Sequence, residues 1–134
     1  MSIEDIRNYC LLLPYCEETM PFDDDILVYK VGGRMFAITT ISRHDCVMVK
    51  CDPDMAIELR DKHEEVTAAW HLNKRHWNAI SLVGDLTEEF IYEQIFNSYM
   101  LVIEKNVTPV SLRREILSTV NSLSKDIDAE NFAE

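Results

Sequence analysis

The apolar positions of this chain change rhythm several times, and each change marks an element. Ile3, Ile6, Tyr9, Cys10 and Leu13 fall three or four residues apart, the spacing of one helix face. Ser2 followed by Asp5 resembles a capping box and Pro14 cannot continue a helix, so the pattern predicts a helix over 2–13. Residues 15–25 show no sustained period, end in Asp23-Asp24-Asp25, and read as a loop. The runs 26–31 and 34–41 are rich in β-branched and aromatic residues and are separated by Gly32-Gly33. That is a hairpin signal, because a type I′ turn needs positive φ at both central positions. Residues 46–50 read as a third strand. Asp52-Pro53 then supplies an N-cap oxygen and a proline at the first helical position, opening a short helix with Met55, Ala56 and Leu59 inward and an end near Lys62.

The second half follows the same logic. Residues 66–72 and 77–83 read as two more strands around Asn73-Lys74-Arg75-His76, with Gly84 closing the second. Asp85 with Glu88 is the capping pair for a long helix through Lys105, its core side Leu86, Phe90, Ile91, Ile95, Tyr99, Val102 and Ile103. Beyond Asn106, Thr108-Pro109 opens a further helical signal in which Leu112, Ile116, Val120, Leu123 and Ile127 step by three or four. The order α-β-β-β-α-β-β-α plus a C-terminal helix predicts an α+β fold. Its sheet is antiparallel, of about five strands, with helices packed on one face. Residues 1–106 read as one domain and 107–134 as an amphipathic helical extension, with the domain and a partner both open to it as docking surfaces.

Composition narrows the class. A chain of 134 residues, 47% hydrophobic and with only 3 Gly and 4 Pro, has room for one well-filled core. No stretch approaches the length of a membrane span, and acids (Glu4, Asp5) stand where a signal peptide would carry basic residues. The expectation is a cytoplasmic protein with no membrane association. Cys10, Cys16, Cys46 and Cys51 form no C-x-x-C pair and read as reduced thiols. A zinc site from His44, Cys46 and Cys51 is disfavoured, because residues 46 and 51 of one strand point to opposite faces.

Net charge is −11, which opposes binding to phosphates, yet the charge is segregated along the chain. From 26 to 51 stand Lys30, Arg34, Arg43 and Lys50 against Asp45 alone, and from 66 to 84 there is no acid beside Lys74 and Arg75. The acids concentrate in the helices and termini.

Candidate chemistry is sparse. There is no G-x-S-x-G, no Walker-type phosphate loop, no G-x-G-x-x-G and no H-E-x-x-H, and no cofactor or catalytic residue is expected. Glu17, Glu18, Asp23, Asp24 and Asp25 could offer a hard cation oxygen ligands, but without the alternation of a calcium loop they read as a solvated loop, and no metal is expected. The densest stretch is His71-Leu72-Asn73-Lys74-Arg75-His76-Trp77-Asn78, with Trp70 before it. Two readings stand. The cations can grip an anion while an aromatic ring stacks on a base; or Trp70, Leu72 and Trp77 are core and Lys74-Arg75 a solvated turn.

The chain resembles the MmcQ/YjbR family of small bacterial proteins. The resemblance rests on Leu13-Pro14, Glu17-Glu18, Pro21-Phe22, 30–37 (K-V-G-G-R-M-F-A), 50–53 (K-C-D-P), Leu59-Arg60, 71–78 (H-L-N-K-R-H-W-N) and Ser98-Tyr99. It implies a CyaY-like (frataxin-like) α+β sandwich and DNA binding through a "double wing" arrangement. The chain departs from the family pattern at Asp23, where relatives carry glycine, and in the tail after Asn106.

Three function classes follow, in order. The first is a DNA-binding module that presents Lys30, Arg34, Lys50, His71, Asn73, Lys74, Arg75, His76, Trp77 and Asn78. The second is a protein-interaction or regulatory domain acting through its acidic helices and residues 107–134, toward a partner or a second copy. The third is a site for a small anion or a metal.

Overall fold

The computed structural model describes residues 1–69 and 72–133, with side chains as far as residue 123. The elements are α1 (Ile3–Leu12), β1 (Cys16–Thr19), β2 (Ile26–Val31), β3 (Arg34–Thr40), β4 (Cys46–Lys50), α2 (Pro53–Lys62), β5 (Val66–Ala68), β6 (Trp77–Ser81), α3 (Glu88–Asn106) and α4 (Val110–Ala133). The strands form one antiparallel sheet in the order β1-β2-β3-β4-β6-β5. The fold is α+β, as the element order predicts, with a sixth strand. No described helix is long and apolar enough to cross a membrane.

Local signals explain the elements they match. Ser2 and Asp5 close a reciprocal capping box on α1, and Asp52 accepts from the N–H groups of Asp54 and Met55 with Pro53 at the first helical position of α2. Gly32 and Gly33 turn the β2–β3 hairpin at φ of +56° and +79°. Three expectations need correction. Part of the predicted 15–25 loop is the strand β1, paired with β2 from Cys16↔Val31 to Thr19↔Val28. The predicted strand 66–72 stops at Ala68. The long helix is capped by Thr87, whose hydroxyl accepts from Phe90 N–H, and not by Asp85.

The main core lies between the sheet and the helices. Tyr29, Phe36, Val47, Val49 and Ile80 from the strands meet Ile6, Cys10, Ile91, Ile95, Tyr99 and Ile103 from α1 and α3. Val107, Ile116 and Val120 belong to the same core, so the first turns of α4 dock on the domain. A smaller cluster of Val28, Ile38, Ala69, Trp77 and Ala79 sits on the opposite sheet face, flanked by Ile26, Met35, Met48 and Leu72.

One side chain enters the sheet itself. Ala37 and Ile38 pair with Val49 and Met48. One step further along, Phe36 and Lys50 are bridged by Ser98 of α3. Its hydroxyl donates to the Phe36 carbonyl at 2.6 Å and accepts from the Lys50 N–H at 2.8 Å. Ser98 is fully buried. It satisfies two backbone groups that the parting strands would leave orphaned.

Ser98→Ala should therefore cost about 2–4 kcal/mol, since removing the bridge strips a partner from two backbone groups in the interior; an unchanged urea midpoint would refute this role. The hairpin glycines should also separate. A Cβ on Gly32 would lie 2.8 Å from Val107 Cγ1, whereas none built on Gly33 has a neighbour within 4 Å. Gly33→Ala should lose about 1 kcal/mol for the left-handed backbone alone and Gly32→Ala clearly more, both read from chemical denaturation.

Candidate functional site

Antiparallel connectivity gathers the cations. β2 ends and β3 begins at the Gly32-Gly33 turn, with Val31 opposite Arg34 and Lys30 opposite Met35. β4 ends beside the start of β6, with Lys50 opposite Trp77. The turn before β6 is tied to the chain after β4 by Cys51 N–H donating to the His76 carbonyl at 2.7 Å. Lys30, Arg34, Lys50, Lys74 and Arg75 thus share one end of the sheet, where Glu17 pairs opposite Lys30 and Asp52 caps α2 beside them.

Each predicted residue has a defined place there except His71, which with Trp70 lies outside the described residues. Arg34, Asn73, Lys74 and Arg75 are exposed, and Lys30, Lys50 and His76 are half-buried. Asn73 shapes the turn: its Oδ1 accepts from Arg75 N–H and its carbonyl from the N–H groups of His76 and Trp77. Lys50 Nζ donates to Asn106 Oδ1 at 2.8 Å. Burial lowers the Lys50 pKa, and the nearby Arg34 charge lowers it further.

Trp77 and Asn78 need correcting as ligand-facing residues. Trp77 is 8% exposed in the second core, where its ring is unavailable for stacking on a base. Asn78 is 1% exposed and donates from Nδ2 to the Ala56 carbonyl at 3.3 Å, holding α2 to the sheet. Conversely, Lys105 at the end of α3 was missed. It is exposed and adjoins Asn106, and only the tertiary Asn106–Lys50 contact brings it to this end.

The opposite end is acidic. Asp25 accepts from the Ser42 N–H and hydroxyl, Leu82 N–H donates to the Asp45 carbonyl, and Ser81 N–H to that of Glu65. A polar recess of about 420 Å³ there is lined by Asp45, Glu64, Glu65 and Asp85 with Arg43. In the acidic segment 17–25, Glu18 pairs with Arg7 at 2.7 Å and Asp23 Oδ1 accepts from Asp25 and Ile26 N–H. Among the described residues no three His, Cys, Asp or Glu side chains converge as metal ligands.

The thiols are poor nucleophiles. Burial, reinforced by nearby acidic groups, pushes Cys16 up to about 12 and raises Cys10, while Cys46 and Cys51 shift upward for the same leading reason.

Known proteins resemble this chain in sequence and fold. The YjbR family model matches residues 11–101. The chain is 30% identical over 115 residues to the uncharacterized protein YjbR of Escherichia coli K12, covering 85% of this chain and 96% of that one. It is 26% identical over 102 residues to the uncharacterized protein YbdF of Escherichia coli O157:H7, covering 75% and 84%. Among solved structures, Deinococcus radiodurans protein DR2400 superposes with a TM-score of 0.79 at 38% identity, covering 86% of this chain and 87% of its own. A Pseudomonas syringae protein at 21% identity shares the fold, with a TM-score of 0.65 and coverage of 75% and 98%. The α+β fold and these matches define the class: the chain belongs to the YjbR family.

The raised thiol and phenol pKa values also set a pH dependence. Tyr9, Tyr29, Tyr92 and Tyr99 shift upward with the cysteines, each mainly by burial. The folded state therefore holds these protons more tightly than the unfolded chain. That stabilisation is complete below the unfolded values, 9.0 for a thiol and 10.0 for a phenol, and is lost progressively as pH rises from them to the folded values, about 12 for Cys16 and Tyr9. In reducing buffer the urea midpoint should fall steeply between about pH 9 and 11; a flat profile there would contradict the burial of these groups.

Proposed function

We propose that the protein binds nucleic acid through its phosphate backbone, using Lys30, Arg34, Lys50, Lys74 and Arg75 at the cationic end of the sheet. The observation that carries this reading is the convergence of these cations on a chain whose net charge is −11. The row spans the edges of β2, β3, β4 and β6, roughly 14 Å at about 4.8 Å per strand, comparable to the major-groove width of about 12 Å. Cations at its two ends can reach phosphates on both sides of a groove. Lys50 directs one of its three ammonium donors to Asn106 and retains others for an anion.

With Trp77 and Asn78 buried, neither can read or stack on bases, so the reading is backbone-directed and weakly selective for sequence. It agrees with the expectation raised by the family resemblance. The partner-binding reading ranks behind it, because Val107, Ile116 and Val120 commit one face of α4 to the protein's own core.

A fluorescent duplex titrated at about 50 and 200 mM salt should lose on the order of 10²-fold in affinity, corresponding to about four phosphate contacts. Lys74→Ala and Arg75→Ala should each weaken binding and reduce the salt slope by about 1. Absent or salt-independent binding at low salt would overturn the proposal.

A further inference from the structure

We propose that the sheet face turned away from the helices carries a second binding site, for a small, flat, largely apolar molecule bearing a positive charge. This site is distinct from the cationic end and does not rest on the nucleic-acid reading. α1, α2 and α3 contribute to the main core on one face. Over the other face the chain between β5 and β6 supplies Ala69 and Leu72, which cover the β4–β6 side. The β2–β4 side is left as a cleft of about 420 Å³, within the range of small-molecule sites.

Its floor is Ile26, Ile38, Thr40 and Met48, with Phe22 and Leu72 as walls. Phe22 is 63% exposed, so its ring stands in solvent, where a flat ligand can cover it. Met48 is half-buried, flexible and polarizable, a side chain that adapts to a ring laid against it. Apart from the Thr40 hydroxyl the floor and walls are apolar, and affinity there has to come from apolar contact; the charged lining residues, Asp23, Asp25 and Arg43, stand at the mouth.

Charge at the mouth decides the ligand's sign. Asp23 and Asp25 line it together with Arg43, two carboxylates against one guanidinium. Asp24 is exposed beside them, and Asp45 lies on the far side of Arg43 in the neighbouring recess. An ammonium at the outer end of an apolar ring would meet this acidic rim. A carboxylate there would be repelled by it.

Three indole probes that differ in charge test the proposal: tryptamine, tryptophol and indole-3-propionate, each titrated into ¹⁵N-labelled protein. Tryptamine should give saturable shifts at the amides of Ile26, Ile38, Met48 and Leu72, with affinity about tenfold or more above that of indole-3-propionate. Phe22→Ala should weaken all three probes while leaving the denaturation midpoint unchanged, because the ring is mostly exposed. Asp23→Asn keeps the Oδ1 acceptor that Asp25 and Ile26 use, and should weaken tryptamine but not tryptophol. Shifts that do not saturate or lie elsewhere, equal affinity for the ammonium and carboxylate probes, or indifference to both substitutions would overturn it.

Discussion

The Ser98 hydroxyl is the contact on which the geometry of the cationic end depends. Set between the Phe36 carbonyl and the Lys50 N–H, it fixes the depth and rotation of α3 against β3 and β4. The next residue, Tyr99, donates its hydroxyl to the Pro14 carbonyl and meets Phe36 edge-on with ring centroids 5.2 Å apart. One turn of α3 thereby joins the exit from α1 to two strands. Helical geometry carries the constraint onward. Asn106 is eight residues further, about 12 Å along the axis, where its side chain holds Lys50 Nζ. Val107 then closes against Gly32, a fit that leaves no room for a Cβ. The hairpin turn and the Lys50 ammonium are both positioned by direct contact with the C-terminal end of α3.

Much of this was legible in the sequence, and the misses share a physical cause. α1, α2 and the β2–β3 hairpin carry their own start and stop chemistry in Ser2, Asp52-Pro53 and Gly32-Gly33, so a few neighbouring residues suffice to define them. β1 lacks such a signal. It is an edge strand paired on one side only, and Glu17-Glu18 reads as loop where it acts to keep a sheet edge in water. The apolar residues after Ala68 suggested a continuing strand, but Leu72 covers the second sheet face instead. Asp85 and Thr87 are both good capping residues, and the Asp85–Glu88 spacing favoured the wrong one.

The site divides the same way. Lys74 and Arg75 sit in a polar turn recognisable from composition. Trp77 and Asn78 stand in the same motif, and their burial follows from which sheet face is covered, a matter of tertiary packing. The Lys50–Asn106 contact joins residues 56 positions apart and has no local signature.

Segregation of charge along the chain becomes segregation in space through topology alone. Successive hairpin connections alternate between the two ends of the sheet, and the β4–α2–β5 connection crosses from one end to the other. The β2–β3 turn, the exit from β4 and the entry to β6 fall at one end, with Lys30, Arg34, Lys50, Lys74 and Arg75 against Glu17, paired opposite Lys30, and Asp52, which caps α2. The entry to β2, the β3–β4 loop and the exit from β6 fall at the other, with Asp23, Asp24, Asp25, Asp45 and Asp85. Magnitudes then decide whether a net charge of −11 forbids an anionic ligand. β3 has 7 residues, so the two ends lie roughly 24 Å apart at about 3.4 Å per residue. The Debye length at physiological salt is only about 8 Å, about a third of that separation. A phosphate held against Arg34 and Arg75 is governed by the cations beside it, with the acidic end largely screened. At low salt the balance shifts, because the acids reach further just as the cations bind more strongly. In the proposed nucleic-acid reading, the acidic end would oppose approach from its own side and favour an orientation in which the cationic end faces the polyanion.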